Sequence, residues 1–170
     1  MAVSFAWLWL AAPQQPPVQK QDTVDAGTRV EKPLIVERDG DRMIWRLQAD
    51  KADQEVRGMH LTRPRLELFT ESGKVIPVRG RQAWFQPLTR SIRFEGGVVV
   101  DYGQWHLRSE VLIYDSASDE LRIPGDFRLK GKSLRARGNS LRAKRKQERI
   151  WVENGVWIED SSPADWSRTS

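Results

Sequence analysis

The sequence predicts an all-β domain, an antiparallel open β-jelly-roll or sandwich built from stacked repeats. Two observations carry that reading. A 23-residue pattern recurs at an unbroken spacing of 29, over residues 78–100, 107–129 and 136–158. Within each copy the apolar residues alternate with polar ones at a period of two, which places them on one face of a strand rather than on a helix.

Seven columns of the pattern are apolar in all three copies. They are Val78/Leu107/Ala136, Ala83/Leu112/Leu141, Phe85/Tyr114/Ala143, Ile92/Leu121/Ile150, Phe94/Ile123/Val152, Val98/Phe127/Val156 and Val100/Leu129/Ile158. In a chain that is 39% apolar, roughly one such column would arise by chance, so seven mark a repeat. An eighth column, Arg79/Arg108/Arg137, is basic throughout. A degraded fourth copy precedes these: residues 47–52 align with 78–83, and residues 64–68, which include Leu66 and Leu68, align with 96–100.

Turn-forming clusters separate the strands, at Asp39-Gly40, Glu71-Ser72-Gly73, and residues 87–91, 115–119 and 144–148. At one place in every copy stand Gly96-Gly97, Gly125-Asp126 and Asn154-Gly155. Residues tolerant of positive φ there predict a bulge where the chain bends from one sheet to the facing one. A two-residue hairpin at Gly96-Gly97 is the competing reading. Residues 50–56 could form a helical turn, from which Asp50 and Asp53 would project together as an acid and base, but plain surface charge is the better reading of the pair.

A chain of 170 residues with 30% charged side chains is one ordinary domain by size. Without cysteine it has neither disulfides nor thiolate metal sites. Its histidines, His60 and His106, stand near no nucleophile or ligand pattern. Asp39-Gly40-Asp41 lacks the further ligands of a calcium loop and reads as a turn. Ser109, Ser133 and Ser140 show no strained elbow. These features predict no active site, no metal and no cofactor.

The net charge of +5 favours anionic partners. The basic run Arg135, Arg137, Arg142, Lys144, Arg145, Lys146 and Arg149 reads as a solvated hairpin tip, with anionic lipid head groups as a second reading. Nucleic acid is disfavoured, because no aromatic platform for bases is interleaved with it.

The first nineteen residues are uncharged, and residues 1–12 are apolar apart from Ser4. Twelve residues fall short of the roughly twenty that span a bilayer. The stretch reads as the C-terminal half of an anchor helix that starts upstream, with a disordered tail or a degenerate leader as the alternative. Pro13 to Pro17 then open an extended linker. The expected organisation is a partial transmembrane anchor at 1–12, a linker at 13–30, the β domain at 31–160 and a tail at 161–170.

The pattern resembles the OstA-like β-jelly-roll family of lipopolysaccharide export, and within it the LptC branch. The residues that carry the resemblance are Trp45 through Ala52 (WRLQADKA), Leu61 through Leu68 (LTRPRLEL), Phe94 through Val98 (FEGGV), Leu107 through Tyr114 (LRSEVLIY) and Leu134 through Leu141 (LRARGNSL). It implies a non-catalytic subunit, anchored once in the inner membrane with its main domain in the periplasm. Such a subunit receives lipopolysaccharide from inner-membrane ABC transporter permeases and passes it to an LptA-like periplasmic bridging protein.

On that reading the acyl chains lie between the sheets, against Leu47, Leu66, Leu68, Phe85, Ile92, Phe94, Val98, Val100, Leu112, Leu121, Ile123, Phe127, Leu129, Ile150, Val152 and Val156. The edge around Leu34, Ile35 and Val36 meets the transporter, and the edge that includes Trp151, Trp157 and Ile158 meets the bridge. Pro163 would stop further pairing. Gly40 and Gly138 fall where the family has glycines, either for function or for backbone geometry. A soluble LptA-like bridge, or a β-repeat scaffold that binds only proteins, is the alternative.

Overall fold

The computed structural model describes residues 27–160, so the apolar stretch at 1–12, most of the linker and the tail with Pro163 lie outside the described residues. Fourteen antiparallel strands join in one hydrogen-bonded sheet, with no helix among the described residues. The chain makes nine passes, each paired with the next in sequence, and a lengthwise crease folds this meander into two facing layers.

Five passes break at the crease into two short strands. They are β1 (Arg29–Glu31) with β2 (Leu34–Asp39), β3 (Arg42–Gln48) with β4 (Lys51–Glu55), β5 (Gly58–Thr62) with β6 (Arg65–Phe69), β7 (Val75–Arg79) with β8 (Gln82–Gln86), and β13 (Arg149–Val152) with β14 (Val156–Asp160). Four bend without breaking: β9 (Ser91–Tyr102), β10 (Trp105–Asp115), β11 (Glu120–Lys130) and β12 (Leu134–Lys144). Layer I holds β1, β4, β5, β8 and β13, and layer II holds β2, β3, β6, β7 and β14. Each long strand contributes one half to each layer.

The crease is a bulge repeated across the sheet. Val98 pairs with Ser109 but Glu95 with Val111, and Asp126 pairs with Asn139 but Ile123 with Leu141. The strand bearing the glycine pair therefore has one residue more than its neighbour, which bends it. Gly96 and Gly97 have φ of 83° and 59° inside β9, so the bulge reading holds and the hairpin reading does not. The same slip falls at Pro124-Gly125, and Asn154-Gly155 breaks the ninth pass.

Within residues 50–56, Lys51–Glu55 form β4 rather than a helical turn, because Ala52 is buried between β1 and β5 partners. Asp50 and Asp53 do not converge. Asp50 pairs with Arg63, while Asp53 accepts from Arg29 Nε at 2.7 Å.

The seven apolar columns become cross-strand rows on the inner faces. In layer I one row runs Ala83, Phe94, Leu112 and, past the bulge, Ile123, Leu141 and Val152, and the next runs Phe85, Ile92, Tyr114, Leu121, Ala143 and Ile150. In layer II the row is Leu47, Leu66, Val78, Val100, Leu107, Leu129, Ala136 and Ile158. At the crease Phe127 faces Gly138, where a Cβ would lie 2.7 Å from the Phe127 ring and 2.9 Å from the Gly155 carbonyl oxygen. Gly138 therefore makes room for an aromatic ring in the core. Gly40, with φ of 59°, turns the chain between β2 and β3.

Opposite the crease, hydrogen bonds tie the turns of layer I to the early strands and turns of layer II. The Trp45 indole donates to Glu37 Oε2 at 2.9 Å and to Ser116 Oγ at 3.1 Å, and Arg90 donates to Glu37 Oε1 at 3.1 Å. Arg145, expected in a solvated tip, is instead 6% exposed. Its Nε donates to Asp119 Oδ1 at 2.7 Å and its Nη1 to the Phe69 carbonyl at 2.6 Å. Tyr114 donates to the same Asp119 oxygen at 3.1 Å. The cation is buried because it has partners on both layers.

Arg145→Ala should cost about 3 kcal/mol in chemical denaturation, since it strands the Asp119 carboxylate and a buried carbonyl. Burial, followed by the Asp119 charge, pushes the Tyr114 phenol well above its ordinary value. A raised pKa means that the folded state holds this proton more tightly than the unfolded chain. Its contribution is complete below the unfolded value of about 10 and is lost as pH rises from there through the folded value. Tyr114→Phe should therefore lose about 1 kcal/mol near neutrality and show a shallower alkaline decline in pH-dependent melting. Gly138→Ala should cost about 1–3 kcal/mol by overpacking, partly recovered in Gly138→Ala/Phe127→Leu, as a double-mutant cycle would measure.

Candidate functional site

The two layers do not cover each other evenly. In layer I the row through Ala83, Phe94, Leu112 and Ile123 is buried, and burial lapses only at the last pass, where Val152 is half-buried. The neighbouring row ends on Ile150, 65% exposed. In layer II the loss starts earlier. Leu47, Leu66 and Val78 are fully buried, Val100 and Leu107 are half-buried against the core, and Leu129 and Ala136 lie outside the core cluster. The row ends on Ile158 at 59% exposure.

An offset between the layers accounts for this. The last turn of layer I, residues 145–148, bonds back to Phe69 and Ser72 at the β6–β7 turn of layer II. Among the described residues the later layer II turns, at 103–104 and 131–133, therefore have no layer I turn opposite them. What results is an apolar strip along the end of layer II, from Val100 through Leu107, Leu129 and Ala136 to Ile158. Trp105 stands at its rim, packed so closely on Gly131 that a Cβ there would meet the indole at 2.4 Å.

The sequence-predicted interior residues divide accordingly. Leu47, Leu66, Leu68, Phe85, Ile92, Phe94, Val98, Leu112, Leu121, Ile123 and Phe127 are buried in the packed part of the sandwich. Val100, Leu129 and Val152 stand at its opening, and Ile150 and Val156 on the uncovered last pass. Among the described residues β2 pairs only with β3, leaving Leu34 and Val36 exposed with Ile35 turned inward, while β13 and β14 pair only with β12, leaving Trp151, Trp157 and Ile158 exposed. β1 is a further edge, in layer I, that sequence reasoning missed.

Among the described residues both histidines are engaged with neighbouring side chains. His60 stacks on Trp84 at 4.5 Å and bonds Gln82, and His106 pairs with Asp101. Among the described residues no three His, Asp or Glu side chains are placed to hold a metal ion. Sequence reasoning also missed Gly131 beneath Trp105, Gly58 beneath the Phe85 carbonyl and the Tyr114–Asp119–Arg145 network. The arrangement presents apolar surface beside cations and unpaired strand edges, which suits binding of an amphiphile.

No curated protein matches the sequence. The family model described as lipopolysaccharide-assembly, LptC-related, matches residues 1–158, nearly the whole chain. Proteins of that family are envelope components of lipopolysaccharide transport. With its creased all-β fold and this match, the chain belongs to the LptC-related lipopolysaccharide-assembly family.

Proposed function

We propose that the chain is a non-catalytic conduit subunit, held at the inner membrane by a single-pass anchor with its β domain in the periplasm. It receives lipopolysaccharide from inner-membrane ABC transporter permeases and passes it to an LptA-like bridging protein. The observation that carries this reading is the uncovered apolar strip of layer II. An acyl chain laid along it gains about 0.8 kcal/mol for every methylene taken from water. The sugars and phosphates stay at the open side, where solvated cations suit them.

The unpaired edges supply the connections. A strand added to β2 on one side, and to β13 and β14 on the other, extends both layers through main-chain hydrogen bonds. The early passes favour a second reading, a scaffold that binds only proteins, because side chains fill the sandwich there. The conduit therefore works along the strip, from the layer II half of β9 to β14, and not along the whole domain.

Photo-crosslinking separates the two readings. A benzophenone side chain at Leu129, Val152 or Ile158 should capture lipopolysaccharide in envelopes containing the transporter, and one at Ile92 or Leu112 should not. Absence of capture at all three open positions, in a protein that melts like the parent, would reject the conduit in favour of the scaffold.

A further inference from the structure

The outer faces of the two layers have matching rows of arginine that differ in one respect. In layer I the row Trp84, Arg93, Ile113, Arg122, Arg142, Trp151 runs across consecutive strands. Every arginine in it has a carboxylate: Arg93 bonds Glu95 at 2.6 Å, Arg122 lies 3.7 Å from Glu120, and Arg142 pairs with Glu153. In layer II the corresponding row is Arg79, Val99, Arg108, Arg128, Arg137, Trp157. Arg79 is neutralised by Asp101 at 2.8 Å. The other three have no carboxylate partner among the described residues.

Arg108 reaches only His106, with Nε 3.4 Å from the ring nitrogen, and Arg137 lies over the Trp157 ring at 4.5 Å. Like charges on directly opposed residues of neighbouring strands destabilise a sheet. Here Arg108, Arg128 and Arg137 are opposed in succession. The groove they line adds Lys130, Lys132 and Arg135 and has a single carboxylate, Glu159. Glu110 and Asp126 border its crease end, where Asp126 accepts from Asn139 at 2.8 Å.

We infer that this outer face of layer II docks on a bilayer surface bearing anionic phospholipid head groups. The cations lie in rows with strand spacing, about 4.8 Å per step, so they present a sheet of charge rather than one converging cradle. Trp157, half exposed and stacked under Arg137, puts an indole where such rings favour the boundary between water and lipid. Docked in this way, the wing formed by the last passes lies against head groups with its apolar strip facing the gap between the layers. The proposal is independent of the conduit reading, because it concerns the opposite face of the same strands.

The chain has no cysteine, so Val99→Cys and Ile113→Cys give single dye sites on the two outer rows. Quenching by head-group spin-labelled lipid in phosphatidylglycerol-containing vesicles reports which face touches the surface, whatever else holds the full chain on the vesicle. The label at position 99 should be quenched, the label at 113 should not, and high salt or pure phosphatidylcholine should abolish the difference. Each basic residue near an anionic surface contributes about fivefold, so Arg108→Gln/Arg128→Gln/Arg137→Gln should weaken this contact roughly 100-fold. The charge-matched Arg93→Gln/Arg122→Gln/Arg142→Gln should leave it unchanged.

Equal quenching at both labels, quenching that persists on neutral vesicles, or indifference to the first triple substitution would overturn the proposal. So would displacement by inorganic phosphate beyond the effect of chloride at equal ionic strength, which would indicate a discrete phosphate site. If the triple variant does not fold, the contrast between the two labels in the otherwise unaltered chain decides the question.

Discussion

The crease governs this molecule. Each pass crosses from one layer to the other, so a strand cannot be added to one face of the sandwich without being added to both. Crossing requires one surplus residue per copy, supplied at Gly96-Gly97, Pro124-Gly125 and the break around Asn154-Gly155. Because the surplus recurs at the same place, the register slips in the same sense at every neighbour and the bends line up. Gly138 belongs to the same device, since it leaves space for the Phe127 ring to fill the angle.

Twist then determines where the sandwich is closed. Strands in a sheet rotate relative to one another, and the turns of layer I come to rest over earlier turns of layer II. Glu148 in the last layer I turn meets Ser72, and Arg145 meets Phe69. The hydrogen bonds that seal the side opposite the crease are therefore spent on the early passes. The opening at the far end follows from this offset and not from a lack of apolar residues, because Leu129 and Ile158 occupy the same column as Val100. Those side chains have the composition of a core without a facing layer.

What the sequence revealed was whatever repeats. Columns apolar in three copies report burial on one face, and their period of two reports strands, so the inner rows, the turns and the bulge were legible. Three things were not. Arg145 reads as one cation in a basic run, because a run of residues does not show that Asp119 and the Phe69 carbonyl converge on it from elsewhere. Residues 50–56 were open to a helical reading because a five-residue strand such as β4 is too short to declare its period. The tip turns at Arg90, Asp119 and Glu148 adopt positive φ at the repeat spacing, yet none is a glycine, so no composition signal marks them. In the candidate site the apolar residues were legible, whereas which of them lack cover was not, since that depends on how the layers are offset.

Edge and opening coincide at the C-terminal end, and one physical circumstance underlies both. Among the described residues the last pass has no further neighbour, so β13 and β14 keep a free edge while Ile150, Val156 and Ile158 stay 65%, 44% and 59% exposed on what would be inner rows. In the proposed conduit, a strand added there would satisfy the backbone and extend the apolar strip at once, so that docking of a partner and lengthening of the lipid path would be a single event. The N-terminal edge differs. Its exposed Leu34 and Val36 alternate with the inward-turned Ile35, so they lie on the outer face of layer II, and a strand added there meets apolar surface outside the sandwich as well as within. The two edges thus present different surfaces to any added strand, which would give the proposed conduit a direction even though its repeats are alike.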